Sequence, residues 1–194
     1  MRRRQRGLQF YRKKKGLSMQ AVKEVFSWIV LSVLAVFLAF MVIWAVGLRT
    51  NMIGVSMEPG LTNGQGILVN RLKYRFFSPQ TGDVVVFLPN GNQNAHYYVK
   101  RVVAVPGQTV LIQEGILYID GKAQENEEMD LIASAGIAEN EIKLGRDEYF
   151  VLGDNCNNSE DSRSANVGPV LRSTIVGEAW FHFGNGTDGW GLIH

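Results

Sequence analysis

Cysteine is nearly absent from this sequence. Cys156 stands alone among 194 residues, so no disulfide can form within the chain, and any folded domain must be held by its core. Histidine is almost as scarce. His96, His182 and His194 are widely spaced and offer no zinc-type cluster with the single thiol, so neither a metal nor another cofactor is expected. Acidic residues are missing from the first 23 positions, which hold nine Lys and Arg. The rest of the chain carries the other eleven basic residues against all eighteen acidic ones. Nucleic-acid binding asks for basic groups spread over a folded surface. Here they crowd into one arm, and nucleic acid is excluded as a partner.

Charge is lacking a second time, between Glu24 and Arg49. The 24 residues Val25–Leu48 would make about 36 Å of helix, enough to cross a hydrocarbon core of about 30 Å with some tilt. Trp28 and Trp44 lie near the two ends, where amphipathic rings favour the interface. Ala45-Val46-Gly47 has the small-x-small form of a signal-peptide cleavage site, but the apolar stretch far exceeds a signal core of roughly 7–15 residues. A retained anchor in a lipid bilayer is expected. Residues 1–24 form a basic cytoplasmic arm, 25–48 a transmembrane helix, and 49–184 an extracytoplasmic domain, with 185–194 a loose tail.

Past Arg49 the pattern turns strand-like. Gly66–Asn70, Asp83–Leu88, Tyr97–Val105, Thr109–Gln113, Ile116–Ile119, Tyr149–Leu152 and Ile175–Phe183 are short runs rich in Val, Ile, Tyr and Phe, parted by Gly, Asn, Asp and Pro turns. That spacing predicts an all-β domain, with Asp120-Gly121 as a hairpin turn. The acidic stretch Ala123–Glu141 reads as an exposed excursion with a helical turn near Met129–Ala135.

Three segments could carry chemistry. Gly54-Val55-Ser56-Met57-Glu58-Pro59-Gly60 presents a hydroxyl on a Pro-stiffened turn, eight residues past the end of the predicted span, hence within roughly 28 Å of it. In His96–Val105, alternation puts Tyr98, Lys100, Val102 and Ala104 on one face and Val99, Arg101, Val103 and Val105 on the other. Both faces are largely apolar, so one cation lies against the core. A buried lysine loses basicity, as a general base near neutral pH requires. Gly153–Arg163 is dense in Asn, Asp, Ser and Gly, the composition of a loop pinned by its own side chains, with Asp161 and Arg163 able to pair.

Taken together, Ser-Met-x-Pro just after a membrane span, Lys-Arg-Val-Val-x-x-Pro-Gly, and Gly-Asp-Asn…Ser-x-Asp-Ser-Arg resemble type I signal peptidase. Gly82–Phe87 resembles a fourth box of that family. The resemblance runs over about residues 51–184 plus the anchor. It implies an all-β, coiled-sheet or barrel-like catalytic domain outside the cytoplasmic membrane, and a serine endopeptidase that cuts signal-peptide-bearing precursors after small residues. It makes Ser56 the nucleophile, with its N–H in the oxyanion hole, and Lys100 the general base. Ser159 would orient the Lys100 amine, and Asp161 and Arg163 would support the site. Met52, Ile53, Met57, Leu61, Tyr98 and Val99 align with substrate-pocket positions. This chain departs from some relatives at Gly54, which cannot supply a hydroxyl to the oxyanion hole, at Gly60, where a usual Thr is replaced and the loop loosened, and at Cys156, where an Arg is frequent.

Two other readings stand beside it. A sortase-like cysteine transpeptidase would use Cys156, a His and an Arg, although the surroundings of Cys156 are turn-like rather than the end of an apolar strand. A membrane-tethered β-module without catalysis would have no need of Ser56, Lys100 and Ser159 together.

Overall fold

Ser18 opens the first element: its hydroxyl accepts the Ala21 N–H at 3.1 Å and caps helix α1, Met19–Val46. The computed structural model describes residues 18–92, 95–124, 131–184 and 189–193, so the first seventeen residues of the basic arm lie outside it. Met19–Trp44 is long and apolar enough to cross a membrane, about 39 Å of helix, and its side chains are exposed all round. The helix starts before the expected Val25, taking in Lys23 and Glu24, and stops at Val46 rather than Leu48. Leu48 is claimed by a strand instead.

The chain divides into two units, residues 1–41 and 42–194. Described residues of the second form twelve short strands, one α-helical turn and four 3-10 turns. These are β1 (Leu48–Asn51), β2 (Gly66–Asn70), the turn α2 (Lys73–Phe76), β3 (Val84–Phe87) and β4 (Tyr98–Ala104). There follow β5 (Thr109–Gln113), β6 (Ile116–Ile119), β7 (Lys122–Ala123), β8 (Ile142–Lys143) and β9 (Glu148–Leu152). Last come β10 (Val170–Leu171), β11 (Ile175–His182) and β12 (Gly191–Leu192). The larger sheet has the order β1-β2-β11-β3-β4-β9-β10, with β12 also on β11, and the smaller β7-β6-β5-β8. Their pairings are antiparallel. Register shifts interrupt β11 twice and β4 once, between Val102 and Ala104, and such bulges curl the larger sheet.

Central β3 explains why its sequence does not alternate. Val84 and Val86 enter one core with Met52, Met57, Leu61 and Val99, while Val85 and Phe87 enter another with Val102, Tyr149 and Val151. Each such side chain contributes about 1.5–3 kcal/mol on burial. A third core, under the smaller sheet, joins Val110, Ile112, Leu117 and Ile119 to Phe150, Leu152 and Cys156. Asp120 and Gly121 both have positive φ, 50° and 72°, and make the expected two-residue turn between β6 and β7.

Two expectations are corrected. The 123–141 stretch is no free excursion, because Ile132 and Ala138 are buried in the third core and Gly136–Glu139 forms a 3-10 turn. The helical turn foreseen at Met129–Ala135 is not present at 131–135, and residues 125–130 lie outside the described residues. The tail is not wholly loose either. Residues 185–188 are outside the description, but β12 pairs Gly191 and Leu192 with His182 and Phe181. Two isolated apolar residues, or two paired ones, leave too little periodicity to be read from sequence.

Candidate active site

Ser56 sits in the turns between β1 and β2, a segment whose Glu58–Pro59 peptide is cis. Met57 and Leu61 drive that segment inward, being 0% and 1% exposed, and they carry Ser56 with them to 7%. Lys100 lies within β4, opposite Val85 of β3, and is 5% exposed. Its Nζ is 2.7 Å from Ser56 Oγ, and the Tyr98 ring stands 5.5 Å away. Burial pushes the Lys100 amine down to about 8, against Asp161, Glu160 and Asp154, whose charges pull it up. A hydroxyl and an amine with access to its neutral form thus meet in a mostly dry place.

The 153–164 loop closes over them. Asp161 is 1% exposed; its Oδ1 accepts Arg163 Nε at 2.8 Å, and its Oδ2 accepts Arg163 Nη2 at 2.9 Å and the Gly153 N–H at 3.2 Å. Arg163 also donates to the carbonyls of Ser134 and Cys156. Burial lowers the Arg163 guanidinium, but Asp161 outweighs it and holds the group above its ordinary value. Such a two-pronged buried pair fixes a loop in both position and direction. The Ser56 carbonyl accepts the Asn155 N–H at 3.0 Å, stitching the loop to the serine segment.

Each expected site residue can be placed. Ser56 and Lys100 come together, and Asp161 and Arg163 pair. Ser159 Oγ is buried without a hydrogen-bond partner, so it makes no bond to the Lys100 amine here. Of the six pocket candidates, Met52, Met57, Leu61 and Val99 are core residues, exposed by no more than 3%. Only Ile53, at 60%, and the half-buried Tyr98 present surface, and the Tyr98 hydroxyl donates to Glu160 at 2.9 Å. Gly54 gives its N–H to Asn63 Oδ1 at 2.9 Å, which takes that donor out of any oxyanion hole. At Gly60 a Cβ would lie 3.3 Å from Asp154 Oδ2, so a larger residue there would crowd that carboxylate. Cys156 is 6% exposed, its thiol donates to the Gly153 carbonyl at 3.1 Å, and burial pushes it up to about 11. His96 is exposed and lies ahead of β4.

Sequence reasoning missed three supports. Ser162 is 0% exposed, and its hydroxyl accepts the Val151 N–H at 3.0 Å. Arg101 pairs with Asp154 through two bonds of 2.8 Å. Gly153 packs so close to the Ser56 carbonyl and the Ser159 side chain that a Cβ has no room. Only the cation pair Lys100-Arg101 carried a readable signal, namely that one of the two must face a partner on the other side.

A family model described as signal peptidase, peptidase S26, matches residues 25–183. The chain belongs to that family. It is 32% identical to a signal peptidase IB of Staphylococcus aureus over 183 residues, 83% of this chain and 90% of that one. It is 35% identical to a probable signal peptidase I-1 of Synechocystis over 134 residues, 66% of each chain. A crystal structure of a signal peptidase I from Enterococcus faecalis aligns at 25% identity with a TM-score of 0.43, over 53% of this chain and 97% of that one. As a signal peptidase the chain is an enzyme, a serine peptidase. That makes a thiol transpeptidase centred on Cys156, or a β-module without catalysis, a poor account of it.

Proposed function

We propose that this signal peptidase is a single-pass membrane endopeptidase that removes N-terminal signal peptides from exported precursors, cutting after small residues of the Ala-x-Ala kind. The observation that carries the reading is the buried Lys100 amine 2.7 Å from Ser56 Oγ. The neutral amine takes the hydroxyl proton as Oγ attacks the scissile carbonyl, and the Ser56 N–H steadies the oxyanion. The peptide C–N bond breaks, and Lys100 returns the proton to the leaving amine of the matured protein. The signal peptide stays behind as an acyl ester on Ser56. Water, deprotonated by Lys100, then releases it.

The supporting roles are proposed with it. Ser159 Oγ, buried beside Gly153 with no partner of its own, would turn to the Lys100 amine as that amine moves between serine and leaving group. Asp161 and Arg163 hold the loop that brings Ser159 there. Met52, Met57, Leu61 and Val99 fill the ground around Ser56, which leaves shallow room and favours small side chains next to the cut. Ile53 and Tyr98 line the open side.

Eight basic residues ahead of α1, with Lys23 near its start, support an N-terminus in the cytoplasm and a β-domain outside. A reporter fused after His194 should be active outside the cytoplasm, and one active only within refutes this orientation. The activity is tested by incubating detergent-solubilised protein with a precursor bearing an Ala-x-Ala signal. Wild type should release the mature chain, while Ser56→Ala and Lys100→Ala should each lose nearly all turnover with the β-domain still folded, because attack and proton transfer act as one unit. Substantial turnover by either variant sinks the assignment.

A further inference from the structure

Phe76 and Phe77 stand side by side at 77% and 65% exposure. They leave the helical turn α2, and that turn is firmly held. Arg172 donates to the Tyr74 and Phe77 carbonyls at 2.9 and 3.0 Å and to Ser78 Oγ at 2.6 Å. Lys73 reaches Asp83 at 3.0 Å and Glu178 at 2.6 Å, and the Tyr74 hydroxyl donates to Asp83 at 2.9 Å. Asn70 Oδ1 accepts the N–H groups of Leu72 and Lys73. The two rings are therefore presented outward by a braced scaffold, and the fold forgoes the stabilisation that burying them would contribute.

Cations flank them. Arg71 and Arg75 are exposed on the same turn. The Arg75 guanidinium carbon lies 5.3 Å from the centroid of the Trp44 ring, within the same 42–194 unit. Trp44 closes the span-length segment Met19–Trp44. An aromatic residue at the end of a span sits at headgroup level, and a side chain stacked on it lies there too. Exposed phenyl rings beside guanidinium groups match that boundary, with apolar tips for the acyl region and cations for phosphate.

We propose that the Arg71–Phe77 turn is a second membrane-docking element, which sets Phe76 and Phe77 into the headgroup–acyl boundary and Arg71 and Arg75 among anionic phospholipid headgroups. The domain is then held to the bilayer at two points instead of swinging on one tether. The proposal rests on α1 crossing the membrane.

The test uses the full chain with Cys156→Ser, in nanodiscs of phosphatidylcholine with or without phosphatidylglycerol. Spin labels go singly on Phe76→Cys, Ser32→Cys in mid-helix and Lys122→Cys on the smaller sheet, and collision with oxygen is compared with collision with a nickel chelate. Label 32 should be deep, label 122 aqueous, and label 76 should favour oxygen several-fold over label 122. Adding Phe77→Ser, Arg71→Glu and Arg75→Glu should return label 76 to the aqueous value with the thermal melt unchanged. Phosphatidylcholine alone should make label 76 shallower, and an unchanged depth there overturns the anionic part. An aqueous label 76 with a deep label 32 overturns the docking, and so does a label 76 shielded from both reagents, which marks a protein contact. An aqueous label 32 removes the span itself and the docking with it.

Discussion

Arg101 and Asp154 meet through two parallel hydrogen bonds, Nε to Oδ1 and Nη2 to Oδ2, both 2.8 Å long. Arg101 is the residue after Lys100 on β4, and Asp154 is the first loop residue after Gly153. The pair therefore clamps the strand that carries the amine to the loop that covers it. Arg101 also donates to the Gly82 carbonyl at 2.9 Å.

Asp154→Asn should weaken this clamp by about 1–3 kcal/mol, since the carboxylate charge and one of the two oxygens that accept from Arg101 are lost. The same carboxylate raises the Lys100 amine through space, so its loss should move the acid limb of activity to lower pH. A thermal melt and a pH profile read the two effects separately. An unmoved limb with a lowered melt would leave Asp154 a purely structural residue.

Lys100 makes a further claim on pH. Burial holds its folded-state value at about 8, below the unfolded 10.5, so kcat/KM should rise through about pH 8 and then level off. The linkage follows from the same shift. Between about 8 and 10.5 the unfolded chain binds the proton that the native site resists, so stability gains as pH rises there. Below pH 8 the penalty is at its full size, on the order of 3 kcal/mol. Lys100→Met should remove it, giving an inactive protein no less stable than wild type at pH 7. An activity still climbing at pH 10, with a destabilised Lys100→Met, would show an ordinary charged lysine.

Cys156→Ser should keep most activity, because a serine hydroxyl can make the same bond to the Gly153 carbonyl. The buried thiol, raised to about 11, holds little thiolate at neutral pH, so alkylating reagents should inhibit only slowly. Rapid, complete inactivation by iodoacetamide in a folded protein contradicts this.

Gly153→Ala should be among the most damaging small substitutions in the domain. The added methyl meets the Ser56 carbonyl and the Ser159 side chain, both parts of the site, with no flexible end to give way. A melt lowered by several degrees and a loss of turnover beyond what the melt explains are expected. Wild-type turnover would mean that the loop can shift without disturbing Ser56.

Most of the sheet was legible because its strands obey short-range rules. Gly66–Asn70, Thr109–Gln113 and Ile116–Ile119 matched to the residue, each a β-branched run between turn residues. β1, β10 and β12 were not, being two to four residues long and defined only by the strand they pair with. At the site, burial of one cation of Lys100-Arg101 followed from the two apolar faces of β4. That its partner would be Ser56 came from resemblance alone, since nothing local in a sequence brings positions 56 and 100 together. The closed state of Met52, Met57, Leu61 and Val99 was likewise hidden, because whether an apolar residue lines a pocket or fills a core depends on what lies above it.

The bond from the Asn155 N–H to the Ser56 carbonyl has a bearing on how the enzyme is born. A chain made from its N-terminus releases Ser56 first, Lys100 next, and the loop from Gly153 to Arg163 near the end. Until that loop arrives there is nothing to stitch to the serine segment, and Arg101 has no Asp154 to clamp. A chain cut short before Gly153 should therefore hold its Ser56 segment less firmly than the whole domain does, whatever strands it has already paired.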